Sequence, residues 1–337
     1  MAVAILRALD AGVDALQKRF VGTDDVRTTT GNFAPVDKEL GPVAARVVKG
    51  ALPPGLRGTF ARTGPNARWP PRGISHWFDG DGMVHAVHLA GGDEGRPPVY
   101  VNRWVRTLRW RREDEAGGPL YGNLGSFEGR LGVAKKILGD LLVAVGDPAF
   151  DGVGAQAMEL AGANTALVLH GRARPRLLAL REDGFPYQLS LDAEGGERAF
   201  GLQTAGPVDF DRKLRHPFTA HPKVDPVTGE LMFFGYRRFK KPFAIYSVCD
   251  AEGKLLRSVD LGLDRAVMMH DMAITERFRP VVVKQQQPAA CWGILFYFYA
   301  PRFVPRAGLS RALSVFTRRC NISSHANPFT SCCSCVC

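Results

Sequence analysis

Short apolar runs alternating with turn residues fill the chain from about residue 32 to residue 274, and this rhythm restricts the fold more than any other feature. The runs are rich in β-branched and aromatic residues, and Gly, Pro or Asp separates them every few positions. Such spacing is typical of short strands joined by tight turns, because a helical protein spaces its breakers more widely. Residues 192–195 and 250–253 both read Asp-Ala-Glu-Gly after a strand-like run. We therefore predict an all-β chain of antiparallel units, as in a propeller or a sandwich.

Two segments depart from the strand pattern and show helical periodicity instead. Residues 3–20 and residues 131–145 repeat apolar positions three or four apart, with Asp and Lys between them. Each helix has two interpretations: it packs on the folded body, or it lies at a membrane surface with its apolar face inserted. In the first helix the apolar stripe consists of Ile5, Leu9, Val13, Leu16 and Phe20.

The composition changes abruptly near residue 279. No Asp or Glu follows Glu276, and six of the seven Cys lie beyond residue 290, so that only Cys249 falls in the body. A body with one Cys implies a reducing compartment without a disulfide framework. We predict three regions: an amphipathic helix and linker (1–29), the β body (30–278), and a divergent tail (279–337) without strand rhythm and disordered.

The net charge of +11 raises the possibility of a nucleic-acid partner, but its distribution argues against one. Much of the excess comes from the acid-free tail, while the body mixes Lys and Arg with carboxylates. The sequence contains no basic helix, zinc-finger spacing or RNA-binding signature. The Cys-rich end, residues 332–337, lacks the two separated pairs of a zinc site. A solvated surface of mixed charge is expected, with no nucleic acid bound.

Two of the eight His stand in settings suited to a ligand at a strand end. His221 and His270 each follow small or apolar residues and precede a polar stretch. A neutral imidazole can bind a first-row metal through Nε2 while its Nδ1 is oriented by a neighbouring carboxylate or carbonyl. Two His 49 residues apart form no metal motif by spacing alone, and an ordinary structural role fits the residues equally well.

Seven strings in the body, taken together, resemble the carotenoid cleavage dioxygenases, especially the plant enzymes. They occur in the order that this family has and cover nearly all of residues 30–278. The strings are NFAPV (32–36), RTGPN (62–66), HWFDGDGMVH (76–85), GANTALV (162–168), EDGFPY (182–187), FTAHPKVDPVTGE (218–230) and VMMHDMAITE (267–276).

This resemblance implies a seven-bladed β-propeller, of which the chain would form part, with amphipathic N-terminal and capping helices. It implies Fe(II) on the propeller axis, with His221 as the first and His270 as the second of four His ligands. Glu182 resembles one of the glutamates that orient a ligand imidazole. The implied reaction uses O₂ to cleave a conjugated double bond of a carotenoid or apocarotenoid, giving two carbonyl products. No further catalytic residue is expected beyond the iron site.

The sequence departs from the family beyond Glu276, and we expect the tail (279–337) to lie outside the family. The one later His, His325, does not match the surroundings of a third ligand, and no carboxylate follows Glu276 that could orient a later ligand. The third and fourth ligands are therefore expected to be missing. An alternative interpretation is a truncated, non-catalytic family member from a gene-model or splice product. The family implies a plastid location, with the cytoplasm as the alternative because the acidic first helix is unlike a transit peptide. Peripheral contact with a membrane fits both helices.

Overall fold

The computed structural model is mostly β-sheet and divides into two compact units, one from Met1 to Phe218 and one beginning at Thr219. Each unit is described by itself. The described residues are 2–21, 30–70, 76–92, 95–122, 134, 138, 141, 158–191, 201–237, 241–267, 269–275, 281–285 and 293–297.

The first sheet contains four antiparallel strands near the start of the body. Their spatial order is β1 (Val43–Ala44), β4 (Val99–Trp104), β3 (Gly82–Ala90) and β2 (Arg57–Pro65). The β2–β3 pairing runs from Arg57↔Ala90 to Pro65↔Gly82 without interruption. The strand β3 is central and largely buried, whereas Phe60 of β2 is exposed. The strands β2, β3 and β4 are thus neighbours in chain order, and β1 pairs with the outer edge of β4.

The second sheet also has four antiparallel strands and packs against the first. It consists of β5 (Ala166–His170), β6 (Arg176–Leu180), β7 (Tyr187–Ser190) and β8 (Gln203–Pro207) in simple order. One apolar core joins the two sheets, including Val84 and Val101 from the first and Leu177 and Tyr187 from the second. The buried Tyr187 hydroxyl donates to the Glu159 carbonyl (2.7 Å) and accepts from the Leu108 amide (2.9 Å).

The sheet of the second unit has the order β12 (Leu255–Asp260), β11 (Ala244–Cys249), β10 (Leu231–Tyr236) and β9 (Lys223–Val224). Every residue of β10 and β11 is buried, while the two outer strands are partly exposed. The turn at 250–253 is closed by Asp250, whose Oδ1 accepts from the amides of Glu252 (3.1 Å) and Lys254 (2.8 Å). The Asp-Ala-Glu-Gly turn predicted there is confirmed, and its counterpart at 192–195 lies outside the described residues.

A further antiparallel pair, β13 (Val281–Gln285) and β14 (Gly293–Tyr297), lies in the region predicted to lack strand rhythm. That part of the expectation was wrong. The three consecutive Val at 281–283 explain the difference, since β-branched residues favour strands whatever the composition around them. The predicted boundary at residue 278 itself stays a prediction.

Helices are few among the described residues. The predicted N-terminal helix is α1 (Ala2–Val21). The helix α2 (Leu108–Ala116) was not predicted, because short strands and turns were expected through Trp110. The side chain of Thr107 starts α2 by accepting from the Trp110 amide (3.1 Å), and Gly117 ends it at φ 67°. Of the predicted helix at 131–145, only positions 134, 138 and 141 are described, and all three are helical.

The Asp79–Gly82 turn is held against the GANTALV segment by hydrogen bonds. The Asn164 amide group donates to the carbonyls of Phe78 (3.2 Å) and Gly80 (2.7 Å), and the Gly82 amide donates to Gly162 (2.7 Å). The Asp81 carboxylate accepts from the Arg68 amide (3.0 Å). This turn therefore joins the first sheet to the second.

The close approach at Gly82 generates a stability prediction. A Cβ at Gly82 would lie 2.3 Å from the Ala163 carbonyl oxygen, whereas a Cβ at Gly64 on the adjacent strand meets nothing within 4 Å. We expect Gly82→Ala to destabilise the chain by about 2 kcal/mol. The matched control Gly64→Ala should be neutral, or stabilising by about 0.5 kcal/mol. Urea unfolding followed by tryptophan fluorescence measures both, and equal midpoints for the two variants would contradict the packing argument.

Candidate metal centre

The side chains of His221 and His270 lie against each other in the second unit. Their ring centroids are 4.6 Å apart and the ring planes make an angle of 73°. Both residues are half-buried, and the Nε2 atom of His221 is buried. The structure therefore brings together the two His that the sequence singled out.

The position of His221 is set by the segment that leads into β9. Its backbone amide donates to the hydroxyl of Thr219 (3.1 Å), and Thr219 is itself buried. After β9, the carboxylate of Asp225 accepts from the amides of Val227 (2.9 Å) and Thr228 (3.1 Å), which closes the turn into β10. The FTAHPKVDPVTGE string thus contains a buried segment, a short strand and a tight turn. Together they hold the His221 imidazole at the edge of the sheet.

The position of His270 is set by apolar anchors on both sides. Met269 and Met272 are 1% and 2% exposed and belong to the core cluster formed by β10 and β11. Val267 and Ile274 pack against the same cluster. Met269 and Met272 are thus buried in the core, Val267 and Ile274 pack against it, and the His270 ring contacts His221.

An ion pair connects the two His segments. The ammonium group of Lys223, two residues after His221, lies 2.7 Å from Oδ1 of Asp271, the residue after His270. The same carboxylate oxygen accepts from the Met272 amide at 2.7 Å. Sequence reasoning missed this contact, since 48 residues separate its partners and the only available signal was that both lie inside recognised strings.

The separation of the two rings is compatible with two ligands of one metal ion. In two imidazoles bound at right angles to a first-row ion, each nitrogen lies about 2.1 Å from the metal and each ring centroid roughly 1.1 Å further, so the centroids are about 4.5 Å apart. The observed 4.6 Å agrees. An edge-to-face contact of two metal-free rings has a similar separation. Among the described residues, no group of three or more His, Cys, Asp or Glu could hold an ion.

Glu182 belongs to the first unit, in the turn between β6 and β7, and is half-buried. The turn is tightly packed, because a Cβ at Gly184 would lie 2.1 Å from the Met158 carbonyl oxygen. The Phe185 amide donates to that carbonyl (2.7 Å), and the Phe218 amide donates to Gly184 (2.9 Å). The EDGFPY string is therefore a rigid corner, and the role of Glu182 beside a metal ligand stays a prediction.

The other described His have structural contacts. The ring of His85 is hydrogen-bonded to the Tyr100 hydroxyl (2.7 Å), and that of His88 to the Thr59 hydroxyl (3.1 Å). His216 Nδ1 lies 2.8 Å from the Pro217 carbonyl, and His170 is buried at the end of β5. His76 begins the Asp79 turn through its amide (2.8 Å). His325 lies outside the described residues.

The aromatic residues of two family strings and of β10 separate into two groups by exposure. Phe185, Phe233, Phe234 and Tyr236 are buried, and the last two belong to the core of the second unit. Trp77 and Phe78 are exposed, and Trp77 makes an edge contact with Phe33 (4.6 Å between centroids). The buried ones are accounted for as core residues.

Comparison with known proteins agrees with these features. The sequence model of the family described as retinal pigment epithelial membrane protein (RPE65) matches residues 33–308. The carotenoid 9,10(9',10')-cleavage dioxygenase 1 of Pisum sativum is 39% identical over 258 residues, which are 74% of this chain and 42% of that protein. The chloroplastic 9-cis-epoxycarotenoid dioxygenase NCED2 of Oryza sativa is 36% identical over 280 residues, covering 79% of this chain and 46% of that protein.

Solved structures give the same result. The lignostilbene dioxygenase of Pseudomonas brassicacearum has a TM-score of 0.58 and 29% identity, covering 77% of this chain and 48% of that one. The cobalt-substituted apocarotenoid oxygenase of Synechocystis has a TM-score of 0.53 and 26% identity over 74% and 48% of the two chains. This chain thus spans less than half the length of these relatives.

Four-stranded antiparallel sheets of this kind are the blades of propeller-type oxygenases, and the predicted all-β fold is confirmed. The chain belongs to the retinal pigment epithelial membrane protein family, in which its plant relatives are carotenoid cleavage dioxygenases. The family match extends to residue 308, beyond the predicted boundary of the body.

The buried contact of His85 predicts a pH dependence of stability. Burial, and to a smaller extent the charge of Arg62, lower the pKa of His85 below its usual 6.5. Below pH 6.5 the unfolded chain then binds more protons than the folded one, so stability rises with pH from the lowered pKa up to 6.5 and is fully present above it. We expect the urea midpoint to be level above pH 6.5 and to fall as the pH drops below 6.5, and to fall less steeply in His85→Gln. Identical slopes would contradict this assignment.

Proposed function

We propose that the chain is the part of a carotenoid-cleaving dioxygenase that supplies His221 and His270 as two ligands of Fe(II). The complete reaction would cleave a conjugated double bond of a carotenoid or apocarotenoid, each carbon receiving one oxygen atom of O₂ as a carbonyl. The observation that carries the proposal is the 4.6 Å imidazole pair inside two family strings. The plant relatives are carotenoid cleavage dioxygenases and one similar solved structure is a cobalt-substituted oxygenase, which supports a metal-dependent oxygenase.

The residues of this chain would hold and orient the metal. Fe(II), when bound, supplies the one-electron chemistry that O₂ requires to react with a double bond. Neutral imidazoles donate without adding charge, and the Thr219 hydroxyl and the buried Met269 and Met272 keep both rings in place. Glu182, by resemblance, would accept a hydrogen bond from a ligand imidazole and so select its tautomer.

The substrate is proposed at the level of class. The relatives are named for 9,10 cleavage and for epoxycarotenoid cleavage, and both names describe long conjugated polyenes. Several relatives are named chloroplastic, which favours a plastid location over the cytoplasm. O₂ is the second substrate of any such reaction.

A second candidate function is a non-catalytic family member, and one observation favours it. The described residues provide two imidazoles and no group of three or more metal-binding side chains. In this case the chain would bind a metal weakly or a lipid without turnover. The two candidates predict different outcomes when metal binding and cleavage are measured separately.

Metal binding tests the His pair directly. We expect the purified 337-residue chain to bind Co²⁺ with visible absorption bands, and His221→Ala or His270→Ala to weaken binding by about tenfold or more, because each removes one of two donors. His88→Ala is the matched control, since it removes an imidazole that bonds Thr59 instead. Binding that is unchanged in both site variants would refute the proposed ligands.

Turnover separates the two candidates. The Fe(II)-loaded chain is mixed with an apocarotenal in detergent micelles under air, and the carbonyl products are separated by liquid chromatography. Product formation that disappears in His221→Ala supports the dioxygenase. Stoichiometric metal binding without product supports the non-catalytic candidate.

Peripheral membrane contact is proposed from α1. Among the described residues, no helix combines the length and the apolar character needed to cross a bilayer. The helix α1 nevertheless exposes Ile5, Leu9 and Leu16 on one stripe and buries Asp10 and Asp14 on another. An exposed apolar stripe can insert into the boundary between headgroups and acyl chains, where a lipophilic substrate is dissolved.

Flotation with liposomes tests this contact. We expect the chain to float with vesicles of neutral and anionic lipid, and Leu9→Ser/Leu16→Ser to float several-fold less, because apolar area available for insertion is lost. The control Ala8→Ser/Ala15→Ser changes two exposed residues off the stripe and should float like the unchanged chain. Equal flotation of all three would remove α1 as the contact.

A further inference from the structure

Lys223 and Asp271 form a partly exposed ion pair that connects the two His segments of the second unit. We propose that these two residues are positioning residues of the metal site, which hold the His221 and His270 imidazoles at the separation that one ion requires. The proposal rests on the proposed function, because it assigns the pair a role toward the metal that the two His would bind.

The strand order shows why such a connection is needed. The residue Lys223 belongs to β9 at one edge of the sheet, whereas His270 follows β12 at the opposite edge. Neighbouring strands lie about 4.8 Å apart, so β9 and β12 are separated by about 14 Å. The segment 261–270 must therefore cross back over the sheet to bring one ring to the other. Since β9 and β12 are not neighbours, the ladder of the sheet does not join the two His segments directly.

The buried Met269 and Met272 fix how closely the crossing segment packs on the sheet. They fix its position along the sheet less well. Thioether side chains are flexible, and Met269 and Met272 can slide within an apolar core without losing a directional contact. The carboxylate of Asp271, in contrast, bonds both Lys223 (2.7 Å) and the Met272 amide (2.7 Å). It therefore couples the backbone beside His270 to the side chain beside His221.

The exposure of the pair makes the role testable. The side chains of Lys223 and Asp271 are 33% and 52% exposed, and ion pairs this exposed contribute little to folding stability. Removing the pair should therefore change the geometry of the site without unfolding the chain. A residue that oriented nothing would leave metal affinity unchanged as well.

Because Lys223 and Asp271 carry opposite charges, their variants distinguish a positioning role from a purely electrostatic effect on metal binding. If only charge mattered, Lys223→Met would remove a cation near the bound metal and strengthen binding, while Asp271→Asn would remove an anion and weaken it. Positioning predicts that both variants weaken binding, because both break the same contact. It also predicts recovery in the exchanged double variant Lys223→Asp/Asp271→Lys and retention in Lys223→Arg.

The experiment titrates Co²⁺ into the full 337-residue chain and its variants, with visible absorption and urea unfolding measured on the same samples. We expect Lys223→Met and Asp271→Asn each to bind about tenfold more weakly with altered absorption bands, as loss of an outer-shell partner does. The urea midpoints should stay unchanged. Asp264→Asn, an exposed carboxylate in the same unit, is the control for lost charge. Opposite shifts in the two single variants, or no shift, would overturn the proposal.

A metal-free measurement distinguishes failure of this proposal from failure of the proposed function. In protein labelled at His, a nuclear Overhauser effect between the two imidazoles reports their 4.6 Å contact without metal. If the unchanged chain binds no Co²⁺ but Lys223→Met abolishes this effect, the metal function fails and the positioning stands. If the effect persists in Lys223→Met and Asp271→Asn, positioning fails whatever the chain binds.

Discussion

Three buried Asn side chains provide the contacts on which the first sheet and its irregular connections depend. Asn66 accepts from the Val36 amide (2.6 Å) and donates to the Val36 carbonyl (2.8 Å), as a neighbouring strand would. Asn102, fully buried, bonds the backbone of Leu40 and Lys38 in the same way. Asn164 satisfies Phe78 and Gly80. Since unsatisfied buried backbone groups are costly, each amide permits an irregular segment to pack against a sheet.

In the second unit, a connecting segment packs against its sheet through apolar contacts rather than through buried Asn side chains. Every residue of β10 and β11 is buried, so the segment after β12 finds an apolar surface on which to cross. The polar contacts lie at the rim, where Thr219 bonds the His221 amide and Lys223 meets Asp271. A rigid apolar base with a polar rim is an arrangement that can hold imidazoles in a defined geometry while leaving them accessible.

The sequence predicted strands and turns well because their signals are local, and it predicted contacts poorly because theirs are not. The rhythm of apolar runs indicated the β fold, and Asp250 with Gly253 indicated a turn that the structure contains. The helix α2 was missed since Thr107 looks like part of a strand until its hydroxyl is seen to cap the Trp110 amide. The strings around His221 and His270 were recognised, but nothing in either one shows that Lys223 reaches Asp271.

The imidazole pair also limits the chemistry that the described residues can perform alone. Fe(II) lies near the weak end of the divalent series, so two neutral donors hold it far less tightly than a complete ligand set would. Under the proposed function, affinity and turnover are therefore separable: His221 and His270 would bind the metal, while cleavage would need further donors and a dry channel for the polyene. The proposed positioning by Lys223 and Asp271 would matter most in this case, because with only two donors any loss of alignment removes a large share of the binding free energy.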